Sequence, residues 1–341
     1  MEITAMGIDL AKSVFQLHGV DRHGKAVLRK KLPRVQLGAF MANLSPCLIG
    51  MEACAGSNFW AREFKKAGHE VRLIPAQFVK PFVKSNKNDA ADAEAICEAL
   101  QRPNMRFAAP KSIEQQDIQS LHRIRKRLIG ARTALINELR GLVGEYGVVL
   151  PRGPSMIRKH IGVAVQKAVE EGQMTAMSEK SILDLFEELA ALDGRVKNYD
   201  DKIQSIHRAH PVCQRLSKMP GIGPITATAM IASVGNAQAF KNGRQFAAWL
   251  GLVPRQHSSG GKERLLGISK RGDTYLRMLL IHGARVVLRY RKENPQSKQE
   301  IWINNLVERR GMNRAAVALA NKNARRIWVL MARDEEYREI A

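Results

Sequence analysis

Between residues 3 and 75 the hydrophobic pattern switches between period two and period 3.6 in a fixed order. ITAMGIDL and SVFQLHGV alternate apolar and polar positions as strands do, with DRHG as a hairpin turn before a third strand, AVLRKKL. A helical stretch follows near 37–43, then the apolar run CLIGME as a buried strand, a helix in SNFWAREFKKAG, a strand in EVRLIP and a helix in AQFVKPFVKS. Another helix begins near Asp89. Three antiparallel strands followed by β-α-β-α exclude a plain doubly wound sheet.

That order is the order of an RNase H-like sheet, in which the first and fourth strands are neighbours. Asp9 ends the first strand in GIDLAKS, and Glu52 ends the fourth in IGMEACAG. Asp89 and Asp92, at i and i+3, leave one face of a helix that packs across the same sheet edge. Four carboxylates placed together repel one another and raise their own pKa values. Hard divalent cations, Mg²⁺ (or Mn²⁺), relieve that repulsion, and two such ions can clamp the attacking and leaving oxygens of a phosphodiester. Taken alone, Asp89 and Asp92 read as an N-cap and a first-turn acid. The strand-end positions of Asp9 and Glu52 favour the metal site.

Charge points to the same class of substrate. Lys and Arg number 55 against 32 Asp and Glu, a net +23, which favours a polyanionic partner and above all nucleic acid. The start MEITAMGIDLAKSVF lacks the basic start and apolar core of a signal peptide, and no apolar run approaches the roughly 20 residues of a membrane span. Cys47, Cys54, Cys97 and Cys213 form no C-x-x-C pair, which argues for reduced thiols and a cytoplasmic chain without a membrane partner.

From about Pro110 the pattern becomes helical. Ile182, Leu185, Leu189, Leu192, Val196, Tyr199, Ile203 and Ile206 keep a 3-4-3-4 spacing, the seam of a coiled coil, and Leu121, Ile124, Leu128, Ala131 and Leu135 form a similar stripe. Joined through the irregular GVVLPRGPSM, they make a helical hairpin, packed on itself or zipped to another copy. The run HRIRKRL, with Arg123, Arg125, Lys126 and Arg127, faces outward as either a solvated or a phosphate-tracking face, and the overall excess of positive charge favours phosphate contact. His207, His210 and Cys213 lack a fourth ligand and read as a helix terminus rather than zinc.

From Pro211 the chain stays mostly helical. In MPGIGPITA, Gly221 and Gly223 form a helix-hairpin-helix-like turn whose N–H groups can cradle a phosphate. RQHSSGGKERLLGISKRG then places two serines among Arg255, Lys262, Arg264, Lys270 and Arg271, a flexible basic loop in which a serine can attack DNA if a neighbour takes its proton. Tyr290 and Trp328, in basic helices, read as core rings. The expected architecture is α/β plus all-α: an N-terminal sheet domain (1–109), a central coiled-coil helical hairpin (110–210) and a C-terminal helical domain (211–341).

GIDLAKSVF, IGMEACAG and KNDAADAEAI, in that order, resemble the D-E-D-D signature of a bacterial insertion-sequence transposase family, with Asn88 where a threonine is usual. The resemblance covers essentially the whole chain. It implies a RuvC-like N-terminal domain and a serine-bearing C-terminal transposase domain. In that family the serine stands before a glycine, after G-L-x-P-R (GLVPR here), which matches Ser259, with Ser258 as the adjacent rival. The implied chemistry is a 5′-phosphoserine link and a free 3′-hydroxyl. The implied partners are donor and target DNA, a structured non-coding bridge RNA as guide, and other copies of the chain in a dimer or tetramer, all in the bacterial cytoplasm at the nucleoid. A structure-selective, Holliday-junction-type endonuclease using metal-activated water is the alternative, and a non-catalytic nucleic-acid scaffold is a third reading.

Overall fold

The strand alternation read from the sequence decides which side of the first sheet each residue faces. The computed structural model describes residues 2–84 and 88–338. Ser85, at the end of AQFVKPFVKS, and Lys87, which opens KNDAADAEAI, lie outside the described residues. Two compact units are formed, Met1–Gln116 with Val234–Asn236, and Asp117–Ser233 with Ala237–Ala341.

The first unit runs β1 (Ala5–Leu10), β2 (Val14–Val20), β3 (Ala26–Pro33), α1 (Arg34–Ala42), β4 (Leu48–Glu52), α2 (Ser57–Lys66), β5 (Glu70–Ile74), α3 (Ala76–Val79) and α4 (Asp89–Leu100). Its sheet has the order β3-β2-β1-β4-β5, antiparallel across β3-β2-β1 and parallel across β1-β4-β5. This mixed sheet is consistent with the RNase H-like order. Met6, Ile8, Ile49 and Met51 point to one face and pack with Leu37, Met41, Trp60 and Phe64 of α1 and α2. Ala5 and Ile74 point to the other, against Ile96 and Leu100 of α4. The helix expected over AQFVKPFVKS is shorter than its sequence pattern: α3 ends at Val79 and Lys80–Phe82 form a 3₁₀ turn. Pro81 lacks an N–H and so cannot donate the backbone hydrogen bond that would carry the α-helix on, although Lys80 before it keeps helical angles (φ −46, ψ −42).

The second unit is mostly helical: α5 (Ile113–Gly144), α6 (Pro154–Glu170), α7 (Ala176–Ala209), α8 (Pro211–Ser217), α9 (Pro224–Ser233), α10 (Gly243–Trp249), α11 (Thr274–Arg289) and α12 (Lys298–Ala332), with the short strands β6 (Pro254–Gln256) and β7 (Leu265–Ile268) between α10 and α11. The stripes of α5 and α7 pack within the chain, where Leu128 and Leu135 share a core with Ile182, Leu189, Leu192 and Val196. The irregular joint expected around GVVLPRGPSM is followed by a full helix. α6 buries Ile157, Ile161, Val165 and Ala168 in that same core, so the pair is a three-helix layer. Gly311 breaks α12 with φ 73 and ψ 164, a region open essentially to glycine alone. Trp328 is buried and donates its indole N–H to the Ala237 carbonyl, as a core ring should. Tyr290 departs from that expectation: it caps the C-terminus of α11 and is 74 % exposed, because the helix ends before the ring can turn inward. Among the described residues no helix is long and apolar enough to cross a membrane.

Candidate active site

β1 and β4 are parallel neighbours with Gly7 opposite Gly50 and Ile8 opposite Met51. The same register carries Asp9 and Glu52 to matching strand ends. Asp9 lies two residues beyond Gly7 and shares its face, the face that α4 covers. α4 begins at Asp89, and Asn88 is its N-cap, accepting from the Ala90 N–H at 3.0 Å. Capping is therefore done by Asn88, and the carboxyl group of Asp89 is left for other work.

Carboxyl oxygens of Asp9, Asp89 and Asp92 lie within 4.8 Å of one another. Glu52 stands outside this tight group, yet its charge reaches Asp9. The Asp9 carboxyl is pushed up to about 6, first by burial, then by the charges of Asp92, Asp89 and Glu52. Burial also raises the neighbouring Cys54 thiol, with Glu52 and Asp9 adding to it. An all-oxygen donor set whose negative charges converge on Asp9 suits a hard divalent cation.

Two glycines that pattern reading passed over make this convergence possible. A β-carbon on Gly7 would lie 2.2 Å from the Ala93 carbonyl oxygen and 2.5 Å from the Cys97 nitrogen. On Gly50 it would meet Leu100 at 3.0 Å. The α4 backbone rests directly on Gly7, and the Leu100 and Ile96 side chains rest on Gly50, which brings the helix's first turn down to Asp9. A glycine inside a strand is the sequence signal of such a close approach.

The basic serine loop is a β-ribbon rather than a flexible excursion. β6 and β7 pair antiparallel, and beyond them Ser259 bridges Lys262. Gly260 (φ 57) and Gly261 (φ 76) both have the positive φ of the tight hairpin turn between them. The two candidate serines differ. Ser258 Oγ accepts from the Arg264 N–H at 3.2 Å and from Gln256 Nε2 at 3.0 Å, pinning the ribbon. Ser259 is exposed at the tip, and among the described residues its hydroxyl makes no hydrogen bond. At the ribbon's base the chain crosses itself: a β-carbon on Gly251 would lie 2.0 Å from the Arg271 oxygen, and one on Gly272 1.8 Å from the Trp249 oxygen. The buried Arg277 guanidinium donates to the carbonyls of Leu250 (3.1 Å) and Arg271 (3.4 Å) and so ties both crossings together.

Comparison with known proteins bears on both regions. Residues 6–148 match a transposase family of the DEDD, IS110 type, and residues 213–300 match the Transposase IS116/IS110/IS902 family. A probable family 20 transposase of Pseudomonas aeruginosa is 51% identical over 338 residues, covering 99% of each chain. The transposase for insertion sequence element IS1111A of Coxiella burnetii is 48% identical over 99% of this chain and 92% of its own. The chain belongs to the IS110/IS116/IS902 family of transposases. As an insertion-sequence transposase it is a DNA-cleaving and DNA-recombining enzyme whose substrate is DNA. A third relative, the transposase for IS1328 of Yersinia enterocolitica, is 40% identical over 96% of each chain. In this transposase the first matched segment contains all four carboxylates, and the second contains both serines.

The remaining sequence candidates fall into distinct settings. Arg123, Lys126 and Arg127 are exposed on α5. Arg125, expected to face outward with them, turns inward and pairs with Asp200, since its position falls on the side of α5 that α7 covers. Beside it, buried His122 joins three helices, bonding Tyr275 Oη and Thr228 Oγ1, each at 3.0 Å. Thr228 donates to the Pro224 carbonyl, so it accepts from His122 Nε2–H, and Nδ1 accepts from Tyr275. Burial, aided by Arg125, pushes that imidazole down to about 4. Gly221 (φ 85) packs against Gly283, where a β-carbon would meet the carbonyl oxygen at 2.9 Å, whereas Gly223 is open. Arg255, Lys262, Arg264, Lys270 and Arg271 are all exposed. His207 bonds Ser217 Oγ at 2.7 Å and Cys213 is buried, a capped helix end as expected.

Proposed function

We propose that this transposase cuts and exchanges DNA strands through a 5′-phosphoserine intermediate on Ser259, with Asp9, Glu52, Asp89 and Asp92 as the holders of Mg²⁺ or Mn²⁺. The convergence of the Asp9, Asp89 and Asp92 carboxyl oxygens within 4.8 Å carries the metal half of this reading. Divalent cations bound there supply charge stabilisation at the phosphodiester. Ser259 attacks phosphorus, the 3′-oxygen departs, and the phosphoserine keeps the bond energy for rejoining. The exposed cations Arg255, Lys262, Arg264, Lys270 and Arg271, with Arg123, Lys126 and Arg127, track phosphates, and Gly223 opens the hairpin turn to a backbone contact. Family resemblance supports a structured bridge RNA as guide and a dimer or tetramer as the active assembly.

Trapping tests the chemistry. Denaturing gels of wild-type reactions with Mg²⁺ should hold a covalent protein–DNA adduct, absent in Ser259→Ala and in the presence of a chelator. Cutting without an adduct would assign the nucleophile to water, as in the endonuclease alternative. Sequencing RNA that purifies with the protein tests the guide: a defined transcript from beside its own coding region is expected, and random cellular RNA would overturn it.

A further inference from the structure

The ribbon that carries Ser259 has two chemically different faces. Gln256 pairs with Leu265 and Ser259 with Lys262, and the His257 N–H bonds the Arg264 carbonyl at 2.9 Å. All three facts obey one antiparallel register, in which 257 opposes 264 and 259 opposes 262. Side chains alternate along each strand. Carried on from β6 and β7 through residues 257–259 and 262–264, where the Arg264 N–H bonds the Ser258 hydroxyl, that alternation puts His257, Ser259, Lys262 and Arg264 on one face and Gln256, Ser258, Glu263 and Leu265 on the other. The hydrogen bond from Gln256 to Ser258 fits this parity, since it joins two residues of the second face. The ribbon's acidic residue, Glu263, falls on the face away from Ser259, and imidazole and cations fall beside it.

We propose that His257 is a catalytic residue that accepts the Ser259 proton, while Lys262 and Arg264 hold the non-bridging oxygens of the phosphate under attack. This rests on Ser259 being the nucleophile. Residues i and i+2 of a strand stand about 6.6 Å apart along the chain. An imidazole leaning toward a hydroxyl spans that gap, and hydrogen bonds of this kind tighten when substrate binds. Imidazole is the commonest proton acceptor in such reactions. Lys262, directly opposite Ser259, and Arg264, diagonal to it, flank the position a phosphorus atom must take.

The atoms balance as follows. The Ser259 Oγ–H proton moves to an imidazole nitrogen of His257 as the Oγ–P bond forms. The P–O3′ bond breaks, and O3′ takes a proton from water to leave as a hydroxyl. On reversal the 3′-hydroxyl attacks the phosphoserine, its proton goes to water, and the imidazolium returns its own to Ser259 Oγ.

The test measures the rate of covalent adduct formation and, in parallel, DNA binding, for the full-length wild type, Ser259→Ala, His257→Ala and His257→Ala with added imidazole. His257→Ala should form adduct on the order of 10²-fold more slowly or worse, bind DNA as the wild type does, and recover rate with free imidazole. A structural role would not respond to imidazole. Adduct formation at the wild-type rate in His257→Ala, or a loss that imidazole leaves untouched, overturns the proposal. If instead the wild type forms no adduct, or Ser259→Ala keeps forming one, the serine reading itself fails, which is a different result on the same gel.

Discussion

Asp9 keeps its proton to about pH 6 in the folded chain, against 3.8 for an ordinary aspartate. Its contribution to stability is full below about pH 3.8 and is lost as pH rises through 6, because the unfolded chain releases its proton earlier. His122, pushed down to about 4, acts oppositely: its contribution is present above pH 6.5 and lost as pH falls through 4. The two oppose each other over one window, so the difference between wild type and Asp9→Asn isolates Asp9. Without divalent ions, Asp9→Asn should melt higher than wild type at pH 7, by on the order of 1 kcal/mol after solvent screening, with the gap closing toward pH 4. It should also abolish strand cleavage. A melting difference that ignores pH would count against the carboxylate cluster. Ser258→Ala should loosen the ribbon and slow adduct formation by a few-fold only, whereas Ser259→Ala should end it; equal losses would blur the distinction drawn from their hydrogen bonds. The approach of Asp9 to Asp89 and Asp92 was legible in the sequence because strand ends and helix starts are marked by pattern. His257 was not, because its face is defined only once the ribbon's register is known.

The helix that brings Asp89 and Asp92 to the sheet owes its depth to glycine. Gly7→Ala would drive a methyl group into the α4 backbone, where nothing can rotate away. The expected result is a loss of roughly 1–3 kcal/mol or more, together with weaker Mn²⁺ binding by calorimetry. Unchanged affinity would show that the α4 position does not govern the site. Elements with long periodic patterns were readable in advance: the five strands of the first sheet, α5 and α7. α6 was hidden by the glycines and prolines at its start, although Ile157, Ile161 and Val165 keep a four-residue spacing. β6 and β7 escaped because they are three and four residues long: β6 (PRQ) is exposed throughout, and β7 (LLGI) is apolar but too short to show an alternation. Only the Gly260–Gly261 pair announced a hairpin, and its positive φ values are what glycine supplies without strain.

At the scale of the whole chain, a net +23 makes salt the dominant control on DNA affinity. Replacing Lys262 or Arg264 by Ala should weaken binding and lower the slope of log K against log salt by about 1 each. Arg125→Ala should leave that slope alone and lower the melting temperature instead, since its guanidinium serves Asp200. Equal slope changes at all three positions would return Arg125 to the surface. Composition announced the polyanion, but it could not say which cations face outward, because only packing assigns the sides of α5. The crossings at Gly251 and Gly272 separate the serine arm from the helical body, so its reach is a dimension that can be changed alone. Two residues added to each strand would extend the arm by about 6.6 Å and keep the serine on its own side, whereas one added to each would turn it over. A graded set of such arms would serve as a molecular ruler for the distance at which this enzyme meets the bond it breaks.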